Sequence, residues 1–374
     1  MTHQILSPIG NLHRAFSKNA ALASVFTLLF AGSALAQPQY TVTDLGVLPG
    51  CDTSVALGIN DRGDIAGYCL NGGDQVAVIW RNGKLINLGK LPKGHSSSAS
   101  WINSSGVAVG DGDLGDSRPQ VWITTATGLL NFYQAANSHA LFITDTGVVG
   151  GNYIKGFSGD GWRAALWAQD PKDPRKWQTI TLPLISGVNS KSDSTTAWSF
   201  NQSGQAAGWA ANDIIGQHAC FWNNNANHSI VDLGTLPGDW TSIAWGMNGL
   251  GQVVGESHPP FGSRPTWWDN DTAHTAHEFP LLPGDNYGTA TAVNNLGQAL
   301  GWSAYDVPGT WNVGPSQLVL WRDGGVFPLQ QVLEPVSGTG WTISTAASIN
   351  NAGQIVGLGI HNGQNHAYLL TPLQ

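Results

Sequence analysis

Charge is what this chain has least of. Asp, Glu, Lys and Arg make up 11% of 374 residues and Met occurs twice, so strong helix formers are scarce and the composition argues against a helix-built fold. Basic residues are the rarer sign, 16 Lys+Arg against 24 Asp+Glu, a net charge of −8. A field of that sign repels phosphate backbones, which excludes nucleic acid as a partner. Beyond the first forty residues no stretch approaches the roughly 18 apolar residues of a membrane helix, so no transmembrane segment is expected in the mature chain. A nucleophile elbow, a phosphate-binding loop and a repeated Ser/His/Asp arrangement are all missing, leaving no catalytic residue and no cofactor to assign.

Glycine and tryptophan, in contrast, are plentiful, at 48 and 17 residues. That balance belongs to a turn-rich β protein held by aromatic packing, far from disorder. Residues 1–36 read as a secretory signal peptide. His13, Arg14 and Lys18 precede the run AALASVFTLLFAGSALA, with Ala34 and Ala36 placed for cleavage before Gln37. Cleavage removes two basic residues and no acidic one, leaving residues 37–374 more negative still. The mature chain is expected to be a single exported domain, secreted or periplasmic, and a monomer.

One phrase recurs along the chain: GINDRGDIAG at 58–67, WINSSGVAVG at 101–110, SFNQSGQAAG at 199–208, GMNGLGQVVG at 246–255, AVNNLGQALG at 292–301 and SINNAGQIVG at 348–357. A seventh, degenerate copy carries Thr144 in place of the Asn. Successive turn positions, 60, 103, 144, 201, 248, 294 and 350, lie 41 to 57 residues apart, the range of four-stranded propeller blades. Asn-x-x-Gly fits a tight turn between two strands, A and B. The segments ending in Trp80, Trp122, Trp167, Trp222, Trp268 and Trp321 supply strand C, and segments such as LINLGKLP at 85–92 supply strand D.

A sheet apolar on both faces needs a neighbour on each, and radial stacking provides one. The region from 40 begins with an extra D-type strand, YTVTDLGVLPG at 40–50, while the last copy stops after a C-type strand at 366–373. Pairing these two segments uses every strand and leaves no open edge. The expectation is an all-β, seven-bladed β-propeller of four-stranded antiparallel blades, closed by the N-terminal strand on the C-terminal blade.

The LGxLPG and SxAxxINxxGxxVG elements, with His218-Ala219-Cys220-Phe221-Trp222 and His366-Ala367-Tyr368-Leu369, resemble the HAF-type extracellular repeat family of bacterial exported proteins. The resemblance covers essentially 40–374, with copy three departing most. It implies an extracellular or envelope location and a propeller-like fold, and it transfers no catalytic residue.

In such a ring the D-to-A and B-to-C connections share one face. The longest of them lie at the 3/4 and 6/7 blade boundaries, and loops carry function on a rigid scaffold. The first pair contributes Tyr153, Phe157, Asp160, Trp162, Lys191 and Asp193; the second contributes Tyr305, Asp306, Trp311, Asn312, Glu334 and Trp341. Aromatic platforms amid Asn and Asp suit a sugar ring or a peptide, so the first reading is a non-enzymatic module for a glycan, peptide or surface partner. The alternative is a hydrolase or lyase using acidic and histidine residues of the same face, and a purely structural envelope protein is the third reading.

Long donors recur four residues before the strand-C Trp in copies two to six, namely Arg118, Arg163, His218, Arg264 and Gln317, with His366 at the matching place in the last copy, and are expected to bond backbone carbonyls between blades. HTAHE at 274–278 lacks the spacing and the helix of a metal motif, so no metal ligand is assigned. SGDGW at 158–162 occurs once and falls short of an Asp-box. Cys51 and Cys69 flank the first A–B hairpin and are expected to form a disulfide in an oxidising compartment, with Cys220 a buried thiol.

Overall fold

In the computed structural model the repeated turn is built as its residue types require. The structure describes residues 37–373 apart from 117, 134–136, 155–160, 186–193, 213–215 and 308–313. At the first turn the Asn60 amide donates to the Asp64 carbonyl and the Gly63 amide to the Asn60 carbonyl, each at 3.0 Å. The Asn60 Oδ1 accepts the amides of Arg62 and Asp64 at 3.0 and 2.9 Å. Gly63 sits at φ +81°, where a Cβ is disfavoured, so the motif keeps glycine there.

Each turn joins strands A and B of a four-stranded antiparallel blade, and the described residues form seven such blades. Strand β1 (Tyr40–Asp44) precedes blade one, which holds β2 (Thr53–Ile59), β3 (Ile65–Asn71), β4 (Asp74–Arg81) and β5 (Lys84–Gly89). Blade two holds β6 (Ser97–Ile102), β7 (Ala108–Gly112), β8 (Gln120–Thr125) and β9 (Gly128–Tyr133). Blade three holds β10 (Ser138–Ile143), β11 (Val149–Ile154), β12 (Trp162–Asp170) and β13 (Asp173–Thr181). Blade four holds β14 (Ser194–Phe200), β15 (Ala206–Asn212), β16 (Gly216–Trp222) and β17 (Ile230–Gly234). Blade five holds β18 (Thr241–Met247), β19 (Val253–His258), β20 (Arg264–Trp268) and β21 (Ala276–Glu278). Blade six holds β22 (Tyr287–Val293), β23 (Ala299–Ala304), β24 (Gln317–Arg322) and β25 (Gly325–Pro328). A 3-10 turn, Leu329–Val332, leads to blade seven: β26 (Trp341–Ile349), β27 (Ile355–His361) and β28 (Gln364–Pro372).

Blade seven takes β1 as its fourth strand. β1 pairs antiparallel with β28 from Tyr40↔Pro372 to Asp44↔Tyr368, and β2 of blade one packs against β26, β27 and β28. The seven-bladed propeller and its closure are therefore as the repeat pattern predicts. No helix among the described residues is long and apolar enough to cross a membrane.

The rest of the repeat has packing reasons. Strand A carries a register shift in every blade, as between Ala56 and Gly58 or Ala244 and Gly246. Opposite it stands the last Gly of the motif. A Cβ on Gly67, Gly255 or Gly301 would lie 1.9–2.0 Å from a strand-A carbonyl oxygen, so nothing larger than hydrogen fits. The strand-A Ser joins neighbouring blades: Ser97 Oγ donates to Gly89 O at 2.6 Å and accepts the β4 amide of Ala77 at 2.8 Å. Ser242 does the same with Gly234 and Ala219, and Ser54 with Gly46 and Ala367 across the closure. The strand-C tryptophans Trp122, Trp167, Trp222, Trp268 and Trp321 are almost fully enclosed. Each apolar core straddles two blades. In one, Ala219, Phe221 and Leu233 of blade four meet Ala244, Met247 and Trp268 of blade five.

Candidate functional site

Strand A lines the axis, and the turn Asn residues surround one mouth of the channel. The Asn60 Nδ2 donates to Asn103 O at 3.0 Å and Asn103 to Thr144 O at 3.1 Å. Further round, Asn201 donates to Asn248 O, Asn248 to Asn294 O, Asn294 to Asn350 O and Asn350 back to Asn60 O, at 3.3, 3.0, 2.9 and 3.1 Å. Thr144 has no amide to give, and there Asp145 N donates to Gln202 Oε1 instead, at 2.8 Å. With its Oδ1 capping its own turn, each Asn is committed to the scaffold, and the mouth is a structural girdle. The channel contains cavities of about 350 and 310 Å³. In the second, Trp198 and Trp245 pack with ring centroids 5.4 Å apart.

The other face holds a cleft of about 540 Å³ between blades six and seven, beside the long 6/7 loops. Tyr287 opens β22 and Trp302 lies on β23, and their rings stack at 5.1 Å and 28°. Gln317 and Leu318 at the start of β24, Pro328 at the end of β25 and Gln330 form one wall; Thr342, Ile343 and Ser344 of β26 form the other. Gln330 bridges the walls, its Nε2 donating to Trp341 O at 3.0 Å and its Oε1 accepting Ile343 N at 2.8 Å. The described residues lining the cleft include no carboxylate, histidine, lysine, arginine or cysteine. Burial raises the Tyr287 phenol, aided by the negative charges of Glu256 and Asp306, so this hydroxyl stays protonated at neutral pH.

The sequence-predicted residues divide. Phe157, Asp160, Lys191, Asp193, Trp311 and Asn312 lie outside the described residues. Tyr153 is buried, packed on Tyr133 and Trp167 with its hydroxyl 2.7 Å from Thr181 Oγ1, so it belongs to the core. Trp162 is half-buried, its ring 5.5 Å from that of His139. Trp341 is buried, stacked on His361 at 4.5 Å. Tyr305 is exposed near the 6/7 cleft, whereas Asp306 is 4% exposed, its backbone bonded on both sides by the Asn286 amide. Glu334 caps its own turn, accepting the amides of Val336 and Ser337 at 3.0 and 2.7 Å, which pulls its carboxyl below the usual range.

The recurring donors are a correction. His218, Arg264 and His366 pair chiefly with carboxylates rather than with carbonyls between blades. His218 lies 3.0 Å from both oxygens of Asp232, the strand-D residue of its own blade. His366 meets Asp44 at 2.8 Å, and Arg264 meets Glu278 at 3.1 Å and Asp239 at 2.8 Å. In these three blades the donor found a charge-assisted partner on the adjacent strand D, where Asp232, Glu278 and Asp44 stand. Two of the donors do reach carbonyls: Arg163 those of Gly161 and Trp162, and Arg264 that of Pro237, at 3.2 Å, in the connection between blades four and five. Cys51 and Cys69 are free thiols in the structure and adjoin one another. Burial raises the Cys69 thiol to about 11, with Cys51 beside it adding to the rise. Cys220 is buried, as the sequence suggests, and burial holds its thiol protonated.

No protein-family model and no curated protein matches the chain. Solved structures do. The β-propeller domain of the trilobed protease from Pyrococcus furiosus, a propeller of open velcro topology, aligns with a TM-score of 0.52 at 10% identity, over 85% of this chain and 95% of that one. Acylaminoacyl peptidase from Pyrococcus horikoshii aligns with the same TM-score at 12% identity, over 86% of this chain and 52% of its own length. Identities so low establish a shared fold, the β-propeller, and this chain differs from the first in closing its ring through β1 and β28.

Proposed function

We propose that the chain is an exported, non-enzymatic propeller that binds an uncharged glycan segment in the cleft between blades six and seven. The observation that carries this reading is the lining: a Tyr287–Trp302 stack flanked by the amides of Gln317 and Gln330 and the hydroxyls of Thr342, Ser344 and Ser316, with no charged side chain among the described lining residues. An aromatic face covers the apolar side of a sugar ring, while neutral amides and hydroxyls meet its hydroxyl groups. At about 540 Å³ the cleft has the size of a small-ligand site, for which about 300–1,000 Å³ is usual.

A hydrolase or lyase on this face is the weaker reading. Of the candidate acids that are described, Asp306 is enclosed and Glu334 is committed to its own turn. Export rests on the leader-like residues 1–36 and on the HAF-type resemblance, and the intact mass of secreted material beginning at Gln37 tests it. Binding is tested on a glycan array followed by calorimetry. Trp302→Ala is expected to weaken the best glycan at least tenfold, about 1.4 kcal/mol, without changing the thermal midpoint by more than a surface substitution does. Equal affinity in wild type and variant removes the proposal, and turnover of the bound glycan replaces it with the enzymatic reading.

A further inference from the structure

At the ring closure three side chains converge that the sequence keeps far apart. Asp44 belongs to β1, His361 ends β27 and His366 lies on β28, and their donor atoms all fall within 4.8 Å of one another. The strand register explains why. His366 stands opposite Gly359, so His361, two residues on, projects from the same face; Asp44 stands opposite Tyr368, two residues from His366. Both imidazoles present Nδ1 to the same carboxylate oxygen, Asp44 Oδ2, each at 2.8 Å. The other oxygen, Oδ1, accepts the Gly46 amide at 2.8 Å and so fixes the carboxylate's orientation. His361 is held in turn by the indole of Trp341, stacked at 4.5 Å and 7°.

Blade four supplies an internal comparison. There His218 and Asp232 form the equivalent pair, with the Gly234 amide on Asp232 Oδ1, and the position matching His361 is Asn212. A His–Asp pair alone is therefore enough to finish a blade edge. Blade seven adds a second imidazole, and only there do described His, Cys, Asp and Glu residues form a three-donor group.

We propose that Asp44, His361 and His366 bind a divalent ion of the zinc class, which clamps the first strand of the propeller to its last hairpin. Two imidazole nitrogens and one carboxylate oxygen are the donor set that zinc takes when one position stays open, and calcium or magnesium would require more oxygens. Metal–ligand bonds of about 2.0–2.1 Å place neighbouring tetrahedral ligands about 3.4 Å apart. To admit the ion, the His–Asp contacts open from 2.8 Å toward that spacing, and the two imidazole donors, within 4.8 Å of one another, adjust to the same spacing. The ion takes the place of the Nδ1 protons, which move to the Nε2 atoms, so neither imidazole has to be charged. All three residues retain solvent exposure, with 27%, 13% and 29% of the side chain accessible for His361, His366 and Asp44, which leaves an entry path and a fourth ligand position for water. Because the ligands come from both ends of the ring, the unfolded chain lacks the site, and binding must stabilise the closed state.

Calorimetry with zinc chloride on the untagged full chain tests the site, with melting followed in parallel. One ion per chain is expected, with a melting midpoint that rises with zinc concentration and returns on adding EDTA. His361→Gln restores the two-residue arrangement of blade four and should fold; it is expected to bind zinc at least about tenfold more weakly, the loss that even outer-shell partners of a metal cause. Asp44→Asn should behave likewise, whereas His218→Gln should leave zinc binding unchanged. Absence of saturable one-to-one binding, a His361→Gln variant that binds as wild type does, or an equal loss in His218→Gln overturns the proposal.

Discussion

Asn294 has every polar side-chain atom engaged. Its Oδ1 accepts the amides of Leu296 and Gln298, and its Nδ2 donates to Gln298 Oε1 and to Asn350 O of the next blade. The side chain is 2% exposed, so Asn294→Ala leaves buried amides and a carbonyl without partners and is expected to cost about 2–4 kcal/mol in urea unfolding. Thr144→Asn is the converse experiment. It supplies the amide missing from the girdle between blades three and four and is expected to add about 1 kcal/mol. Asp113 is a residue-scale handle on pH. Burial pushes its carboxyl up, but the amides of His95, Gly115 and Ser96 and the Ser96 hydroxyl outweigh that and hold it far below the usual range. A depressed carboxylate stabilises the fold above its unfolded pKa, near 3.9, and loses that contribution as pH falls below it. Asp113→Asn is thus expected to lower the melting midpoint at pH 7 and to flatten its decline below about pH 4. The turn role of the Asn was legible from sequence. Its bond across to the next blade was not, because that partner lies about one repeat away and only the ring's curvature brings it near.

At the scale of the element, the A–B hairpin is specified by its closing glycine as firmly as by its turn. The bulged strand A brings a carbonyl against the final Gly of each motif, so Gly301→Ala, with a Cβ 2.0 Å from Thr289 O, is expected to cost about 3 kcal/mol and to lower the urea midpoint accordingly. The first hairpin also ends in the neighbouring thiols of Cys51 and Cys69. Export into an oxidising compartment is expected to join them, and peptide mapping without reduction would find the linked pair. Elements legible from the repeat are the A, B and C strands, whose periodicity recurs in each copy and whose Trp ending recurs in the first six. Loop side chains were legible only as types: Tyr153 and Trp341, drawn from the same stretches as exposed Tyr305, point into cores. An aromatic in a long loop has two ways to lower its free energy, contact with a ligand or burial on its own sheet, and residue type does not separate them.

The molecule as a whole is a closed circle, and its weakest link in chain-entropy terms is the one joining residues more than three hundred positions apart. Tyr40, fully buried on β1, anchors that link among Leu329, Val332, Tyr368 and Leu370. Tyr40→Ala is expected to cost about 3–5 kcal/mol, as aromatic truncations in cores do, and to expose the β28 edge to self-association, seen by light scattering.

The sequence by itself determined the blade, its number and the way the ring shuts, because those follow from local turn chemistry repeated seven times and from strand-forming segments that need a partner on each side. Tertiary structure alone decided which side chains meet. The Tyr287–Trp302 cleft arises where the strand ends of blade six face β26 of blade seven, and the Asp44, His361 and His366 group arises where the first strand lies beside the last. Both depend on register and curvature, which place residues within a few ångströms according to sheet geometry and not according to their distance along the chain.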